Sequence, residues 1–342
     1  DALQGSDEDG WQVSTRHFAL EQITAGFFAQ ANTDAQQAIF TSLIDIATNG
    51  VQNEVRASKM VLSKIDIEAK MFDDVLLSAA RNLMGAPTPT SNGGAPAAKR
   101  GRAIVEVQHS ADVDLYELVT VLELIESKTI TKDNILVKSL FEVLTAMVNA
   151  DLRDAPVSLE YINQLLMSAL TRIIHNAEEK GAVVEESALR VDIVVQCIRI
   201  TGNPQTHNQA LLLMATIASM FPETVLHNIM PVFTFMGANV LRQDDNYSFQ
   251  VIQQTLEKIL PPLVVSSRKS NNDDEAALVL EVKPIIKVFI DALFHIPKHR
   301  RLRLFTVLIH TLGEDEFLYA IISLLLEKFT ERLAKGARSC ST

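Results

Sequence analysis

Residues 206–221 read THNQALLLMATIASMF, and their apolar side chains recur with the period of an α-helix. The stripe comprises Ala210, Leu213, Met214, Ile217, Ala218 and Phe221. Spacings of three and four residues put these side chains on one helix face. Just upstream, Asn203-Pro204 predicts an N-cap and a first helical residue, because proline lacks the N–H that would be unpaired there. The stretch therefore predicts a helix with one buried face.

The same periodicity continues along the chain. Further stripes comprise Ile162, Leu165, Leu166, Ala169, Leu170 and Ile173; Val225, Ile229, Val232, Phe233, Met236 and Val240; and Leu318, Ile321, Ile322, Leu325, Leu326, Phe329 and Leu333. Pro231 lies inside one stripe, and we expect it to kink that helix. Apart from a weak pattern at 103–107, no segment alternates as a β-strand does. We therefore predict an all-α fold.

The predicted helices form pairs that recur along the chain. The pairs cover 16–49, 54–84, 113–150, 158–201, 203–241, 245–296 and 300–335. With two polar insertions set aside, their spacing approaches the roughly 40–47 residues of a HEAT or armadillo repeat. We predict a HEAT/armadillo-like α-solenoid of about seven helix pairs, because a lone pair cannot bury its apolar face. A globular helical bundle has the same periodicity and is the alternative.

The solenoid is predicted to be a single domain over 16–335. Polar stretches without large apolar side chains predict loop insertions at 85–103 and 266–276. Residues 1–15 are acidic and are expected to be poorly ordered or disordered, and 336–342 are expected to form a polar tail. Because the chain does not begin with Met, we expect a fragment of a longer protein.

Composition excludes several classes of protein. The chain has 342 residues, of which 47% are apolar and 21% charged, and a formal net charge of −11. This is the balance of a folded protein and excludes a disordered or collagen-like chain. Two cysteines, Cys197 and Cys340, are too few for a disulfide framework or a zinc site and fit a reducing compartment. No apolar run reaches the roughly 18 residues of a membrane-spanning helix, so we predict no membrane partner.

No motif of an enzyme or a cofactor-binding protein occurs. The Walker A loop, a dinucleotide-binding glycine pattern after a strand, and the HExxH, GxSxG and CxxC motifs are absent. His175 and Glu178 have a metal-like spacing but no evident third ligand, so a solvated helix end is the simpler interpretation. We predict no catalytic residue, no metal, no cofactor and no small-molecule substrate.

A basic run near the C-terminus is the main candidate for an interaction site. It comprises Lys283, Lys287, Lys298, Arg300, Arg301 and Arg303. The first two share a helix face, and the other four open the next helix, around the apolar stripe Leu302, Phe305, Leu308 and Leu312. A helix start with arginines suits RNA phosphate, and an acidic partner protein would suit the same charges.

Two alternatives to an interaction site remain for this run. The cations could form salt bridges to acidic neighbours such as Glu314 and Glu316, or Arg300 and Arg301 could fix the turn between repeats. A second, smaller cluster comprises Lys99, Arg100 and Arg102 in the first insertion. It could contact phosphate or form part of a nuclear import signal.

Two long strings resemble segments of one family. Residues 228–252 read NIMPVFTFMGANVLRQDDNYSFQVI, and residues 295–313 read HIPKHRRLRLFTVLIHTLG. Both are similar to the very large HEAT-repeat proteins associated with the U3 small nucleolar RNA, which are subunits of the small-subunit processome. The resemblance implies a scaffold or assembly factor for small ribosomal subunit biogenesis and pre-ribosomal RNA processing, located in the nucleus and nucleolus.

The resemblance also bears on partners and on chemistry. It implies binding to other processome proteins, with pre-ribosomal RNA or U3 RNA as a further partner, and it carries over no catalytic residues. A HEAT-repeat nuclear transport receptor or another adaptor protein is the alternative function and would bind a small GTPase. An enzyme is a third hypothesis that would need titratable groups converging in a pocket. We predict that the protein is not an enzyme.

Overall fold

A computed structural model describes residues 15–85, 115–128, 134–150, 159–270 and 274–339. Helices dominate these ranges, and none of them contains a β-strand. The predicted all-α fold is therefore confirmed. The chain divides into two compact units, Asp1–Leu189 and Arg190–Thr342.

The first unit contains eight α-helices in its described ranges. They are α1 (Thr15–Gln22), α2 (Ala25–Gln30), α3 (Thr33–Asn49), α4 (Gln52–Lys64), α5 (Ala69–Gly85), α6 (115–127), α7 (Asn134–Asn149) and α8 (Leu159–Lys180). A 3₁₀ turn over Glu186–Ala188 follows them.

The helices of the first unit stack in two layers. Helix α5 contacts α3 and α7, and Phe40 of α3 meets Phe72 of α5 edge to face, with ring centroids 5.3 Å apart. In the other layer, Lys59 of α4 and Tyr161 of α8 reach Glu123 of α6, at 3.9 Å and 3.1 Å. Contacts of α3 with α4 and of α7 with α8 join the layers. This is the arrangement of stacked helix pairs.

The second unit also contains eight α-helices in its described ranges. They are α9 (Val191–Ile200), α10 (Pro204–Met220), α11 (Pro222–Leu226), α12 (Ile229–Ala238), α13 (Asn246–Ser270), α14 (Glu275–Ala292), α15 (Lys298–Leu312) and α16 (Glu314–Ser339). Helices α10, α13 and α15 contact one another in sequence, and so do α12, α14 and α16. Contacts of α13 with α14 and of α15 with α16 join these two layers, again as stacked pairs.

Side-chain links between stacked helices recur at about one repeat length. In the first unit, Arg172 of α8 donates to main-chain oxygens at the end of α6, 46 and 47 residues away. In the second unit, Asn208 donates to Ser248 across 40 residues and Lys328 to Asp291 across 37 residues. These separations of 37–47 residues lie within or close to the roughly 40–47 residues of a HEAT or armadillo repeat.

A local signal places the start of α10 correctly. Asn203 accepts from the N–H of Gln205 at 2.9 Å, and Pro204 is the first residue of α10, as predicted. The predicted kink at Pro231 is wrong, because the chain breaks earlier: α11 ends at Leu226 and α12 begins at Ile229. Pro231 then lies in the first turn of α12, where its missing N–H costs no helical hydrogen bond.

Two predicted polar segments are shorter than expected. Helix α13 continues through Ser270, because Ser266 bonds to Glu223 at 3.3 Å and Arg268 holds Glu316 at 2.7 Å. The first five residues of the predicted 266–276 insertion are therefore helical. Helix α16 continues to Ser339, into the predicted polar tail. Most of the predicted 85–103 insertion and the N-terminal segment lie outside the described residues, and one solenoid over 16–335 stays a prediction.

Candidate interaction surface

Helix α14 presents the first two cations of the basic run. Its N-cap is Asp274, whose carboxylate accepts from the N–H groups of Ala276 and Ala277 at 3.0 and 3.5 Å. Its buried apolar residues pack against α12, α13 and α16. Lys283 and Lys287 lie exposed one turn apart, and neither takes part in the ion pairs found between described residues.

Arg300 is buried and joins the starts of two helices. Only 8% of it is exposed. Its guanidinium donates to the Asp244 carboxylate at 2.9 Å, to the main-chain oxygen of Asp245 at 2.6 Å and to the side-chain oxygen of Asn246 at 3.2 Å. It also lies over the Phe249 ring, 5.2 Å from the centroid. Arg300 therefore fastens α15 to the beginning of α13.

Asp245 strengthens the same junction. Its carboxylate accepts from the N–H of Ser248 at 2.7 Å and caps the start of α13. Burial alone would raise its pKa, but the hydrogen bonds from Ser248 and the positive charge of Arg300 outweigh burial and lower the pKa. The carboxylate therefore stays ionised at neutral pH and attracts Arg300.

Arg301 fixes the connection between α14 and α15. Its guanidinium donates to the main-chain oxygens of Ile296 at 3.0 Å and Phe294 at 3.4 Å. Both oxygens belong to the segment that joins the two helices. Arg300 and Arg301 therefore both bond to connecting segments, as in the alternative that these two arginines fix the turn between repeats.

The remaining two cations of the run are exposed at the start of α15. Lys298 is the first residue of the helix, and Arg303 places its guanidinium 5.2 Å from the centroid of the Phe249 ring. Glu314 and Glu316, the acidic neighbours suggested as partners of this run, lie against other residues. Glu316 pairs with Arg268 at 2.7 Å, and Glu314 lies 3.5 Å from His310.

The structure thus separates Arg300 and Arg301, which bond to neighbouring segments of the fold, from the exposed members of the basic run. We call Lys283, Lys287, Lys298 and Arg303 the exposed cations. They form two pairs, one on α14 and one on α15, in different layers of the second unit.

Each pair of exposed cations has an exposed leucine beside it. Leu280 is 67% exposed and precedes Lys283 by one turn, and Leu302 is 81% exposed and adjoins Arg303. The prediction that Leu302 belongs to the buried stripe of α15 is wrong, because Leu304 occupies the core and turns Leu302 outward. The sequence carried a signal: Leu302 and Leu304 differ by about 200° on a helix, so both cannot face one core.

Other candidate groups lie elsewhere. Lys99, Arg100 and Arg102 are outside the described residues. In the described part of the chain, no three His, Cys, Asp or Glu side chains come close enough to hold a metal ion. His175 lies 3.8 Å from Glu178 at the exposed end of α8. Cys197 is buried, and burial raises its pKa to about 12, so it remains a thiol at neutral pH.

None of the helices described in the structure combines enough length with enough apolar character to span a bilayer.

Comparisons with known proteins agree with this helical architecture. Residues 277–341 match a family model described as HEATR1-like, HEAT repeats. Over 93% of its length the chain is 34% identical to HEAT repeat-containing protein 1 of Danio rerio and 33% identical to that of Homo sapiens. Over 99% of its length it is 33% identical to U3 small nucleolar RNA-associated protein 10 of Mycosarcoma maydis. The chain spans 15% of the length of each of these three relatives.

Proposed function

This chain is a homologue of the HEAT-repeat proteins associated with the U3 small nucleolar RNA, and we propose that it is part of a scaffold for small ribosomal subunit assembly. The observation that carries the proposal is the similarity over 99% of the chain to a protein named for its association with U3 RNA. The strings at 228–252 and 295–313 support the same family. The proposed location is the nucleus and nucleolus.

The distribution of charge supports an interaction site in the second unit. Residues 1–189 contain 15 Lys and Arg against 27 Asp and Glu, whereas residues 190–342 contain 16 against 15. The acidic excess of the chain therefore lies in the first unit. Local cations in the nearly neutral second unit can attract an anionic partner without a large opposing field.

The exposed leucines favour a protein partner over RNA at this surface. A phosphate backbone gains nothing from Leu280 or Leu302, whereas a protein surface can bury both and pair its carboxylates with the exposed cations. We therefore propose that the exposed cations bind another protein of the small-subunit assembly machinery through acidic and apolar side chains. The scaffold acts by holding partners together, and no covalent step is involved.

Capture from cells tests this function. The full-length protein is tagged and isolated in wild-type form and with the exposed cations changed to Glu: Lys283→Glu, Lys287→Glu, Lys298→Glu and Arg303→Glu. Wild type should recover small-subunit assembly proteins and U3 RNA, and the variant should lose at least one protein partner about tenfold. Arg300 and Arg301 stay unchanged, because their removal would disturb folding.

A matched variant controls for the change in charge. It carries Glu at four other exposed cations of the second unit: Arg199, Arg242, Lys258 and Lys269. This control should recover partners as wild type does. Capture of a small GTPase with transport cargo would contradict the proposed function. If the variant with Glu at the exposed cations recovered all partners as wild type does, the exposed cations would not be a partner-binding site.

Salt dependence distinguishes the two classes of partner at the exposed cations. If these residues held single-stranded RNA, the logarithm of affinity would fall with log salt at a slope of about −0.7 per phosphate contact. A protein partner should instead also lose affinity when Leu280 and Leu302 are changed to Ser.

A further inference from the structure

Helix α16 has two apolar faces, and only one is buried. Its inner face, formed by Phe317, Ala320, Ile321 and Leu324, is buried in the second unit, where α16 packs against α14 and α15. A second set of large apolar side chains is 42–73% exposed. This set, which we call the outer stripe, comprises Leu318, Tyr319, Ile322, Leu326, Phe329 and Leu333. Most of the apolar stripe predicted for this helix therefore faces outward.

The outer stripe is continuous along the helix. At about 100° per residue, its six side chains fall within a sector of about 100°, nearly opposite the inner face. Its members span about 23 Å of helix length. The charged residues Glu327, Lys328 and Glu331 fall outside that sector. Soluble proteins rarely expose an apolar surface of this extent unless it is an interface.

Helix α14 shows what covers such a face in this fold. It lies in the same layer as α16 and contacts α12 on one side and α16 on the other. Phe289 of α14 meets Phe233 of α12 with ring centroids 5.6 Å apart. Among the described residues, α16 has α14 as its neighbour in this layer. Phe329 meets Phe294 of the α14–α15 connection edge to face, with ring centroids 5.6 Å apart, but the side chains of the outer stripe, Phe329 included, stay 42–73% exposed. In α14, the side that faces away from α12 is covered by α16, the next helix in the layer. The outer stripe is the corresponding side of α16.

We propose that the outer stripe of α16 is covered by a further helix pair of the same repeat type, supplied by the same polypeptide from outside residues 1–342. Two observations select this occupant. The chain spans 15% of the length of its relatives, so most of a protein of that size lies outside it. The stripe also lacks the positive charges that RNA phosphate would need and has the periodicity that helix-on-helix packing uses. The inference is independent of the partner bound by the exposed cations.

Photo-crosslinking in the full-length protein tests the occupant. A photoreactive amino acid replaces Leu326, which is 62% exposed at the middle of the outer stripe, and crosslinked peptides are identified by mass spectrometry. Co-expressed copies with two different tags distinguish links within a polypeptide from links between copies. The expected product is an intramolecular link to a helical segment outside residues 1–342. The same group at Leu302 is the control and should give no link to that segment.

Four results would overturn the proposal. They are a link to a differently tagged copy, a link to another protein, a link to RNA, and the absence of any link at 326 when other positions react. The first three would assign the outer stripe to a different occupant, and the fourth would show that no neighbouring repeat covers it.

A second measurement does not depend on the crosslinker. In the full-length protein, Leu326→Glu with Leu333→Glu should raise amide hydrogen exchange at least tenfold in the crosslinked segment, because its apolar face loses its cover. Exchange in α10 and α13 should stay unchanged, which shows that the second unit remains folded. Leu280→Glu with Leu302→Glu applies the same chemical change elsewhere and should leave the crosslinked segment protected. Equal exchange in wild type and in the outer-stripe variant would contradict the inference.

Discussion

Two arginines in one turn of α15 have different environments: Arg300 is buried and bonds to another helix, whereas Arg303 is exposed. Arg300 is 8% exposed and bonds to three residues at the start of α13, whereas Arg303, less than one turn later, is exposed and stacks on Phe249. The sequence places both in a single basic run, since charge and spacing are all it shows. The partners of Arg300 lie 54–56 residues away along the chain, so only the fold reveals them.

The stability of two single variants should separate these roles. Arg300→Met removes hydrogen bonds to charged and main-chain oxygens and should lower the free energy of unfolding by about 2 kcal/mol. Arg303→Met removes an exposed contact with one ring and should cost less than about 1 kcal/mol. Urea denaturation followed by circular dichroism measures both. Equal losses would contradict a structural function that Arg300 has and Arg303 lacks.

At the level of the helices, close approach between α12 and α14 depends on Gly237. A Cβ atom at this position would lie 2.6 Å from Cγ1 of Val288, and the stiff valine cannot move away without a shift of α14. Phe233 and Phe289 pack edge to face between the same two helices. Stacking of these helices therefore relies on a residue without a side chain.

Gly237→Ala should consequently weaken the second unit. Overpacking typically costs about 1–3 kcal/mol, and the better helix propensity of alanine returns at most about 1 kcal/mol, so we expect a net loss near 1 kcal/mol. Gly202→Ala is the control for the added methyl group alone, because Gly202 lies between α9 and α10 and a Cβ atom there meets nothing within 4 Å. Thermal unfolding compares the two variants. A melting temperature for Gly237→Ala at or above that of wild type would show that α14 can shift to accommodate the methyl group without loss of stability.

Periodicity predicts which side chains share a helix face but not what covers that face. The stripe from Ile162 to Ile173 is buried throughout, as predicted, whereas Leu326 and Leu333 in the α16 stripe face outward. Helix ends followed local signals at Asn203 but not at Ser266, where side-chain bonds to α11 and α16 extend α13. Predictions that depend on residues close in sequence, such as the N-cap at Asn203, agree with the structure. Predictions that depend on contacts between distant residues, such as the end of α13, do not.

For the whole molecule, too, the sequence pattern could not show which distant residues the side chains of the candidate site contact. The sequence located the basic run, and the family strings indicated an assembly scaffold. Neither could show that Arg300 and Arg301 are committed to structure or that Leu280 and Leu302 stand exposed beside the other cations. The interaction surface proposed here is therefore smaller, and more apolar, than the one that charge alone suggested.

Crosslinking of the intact assembly with a lysine-reactive reagent, mapped to residues by mass spectrometry, examines the proposal that stacked repeats of the second unit hold assembly partners. Lys258 and Lys269 are exposed lysines on α13 outside the basic run and serve as internal references. Lys283, Lys287 and Lys298 should link to other proteins of the small-subunit assembly machinery more often than these references do. Links from the three lysines only to a small GTPase or its cargo, or links confined to the references, would contradict it.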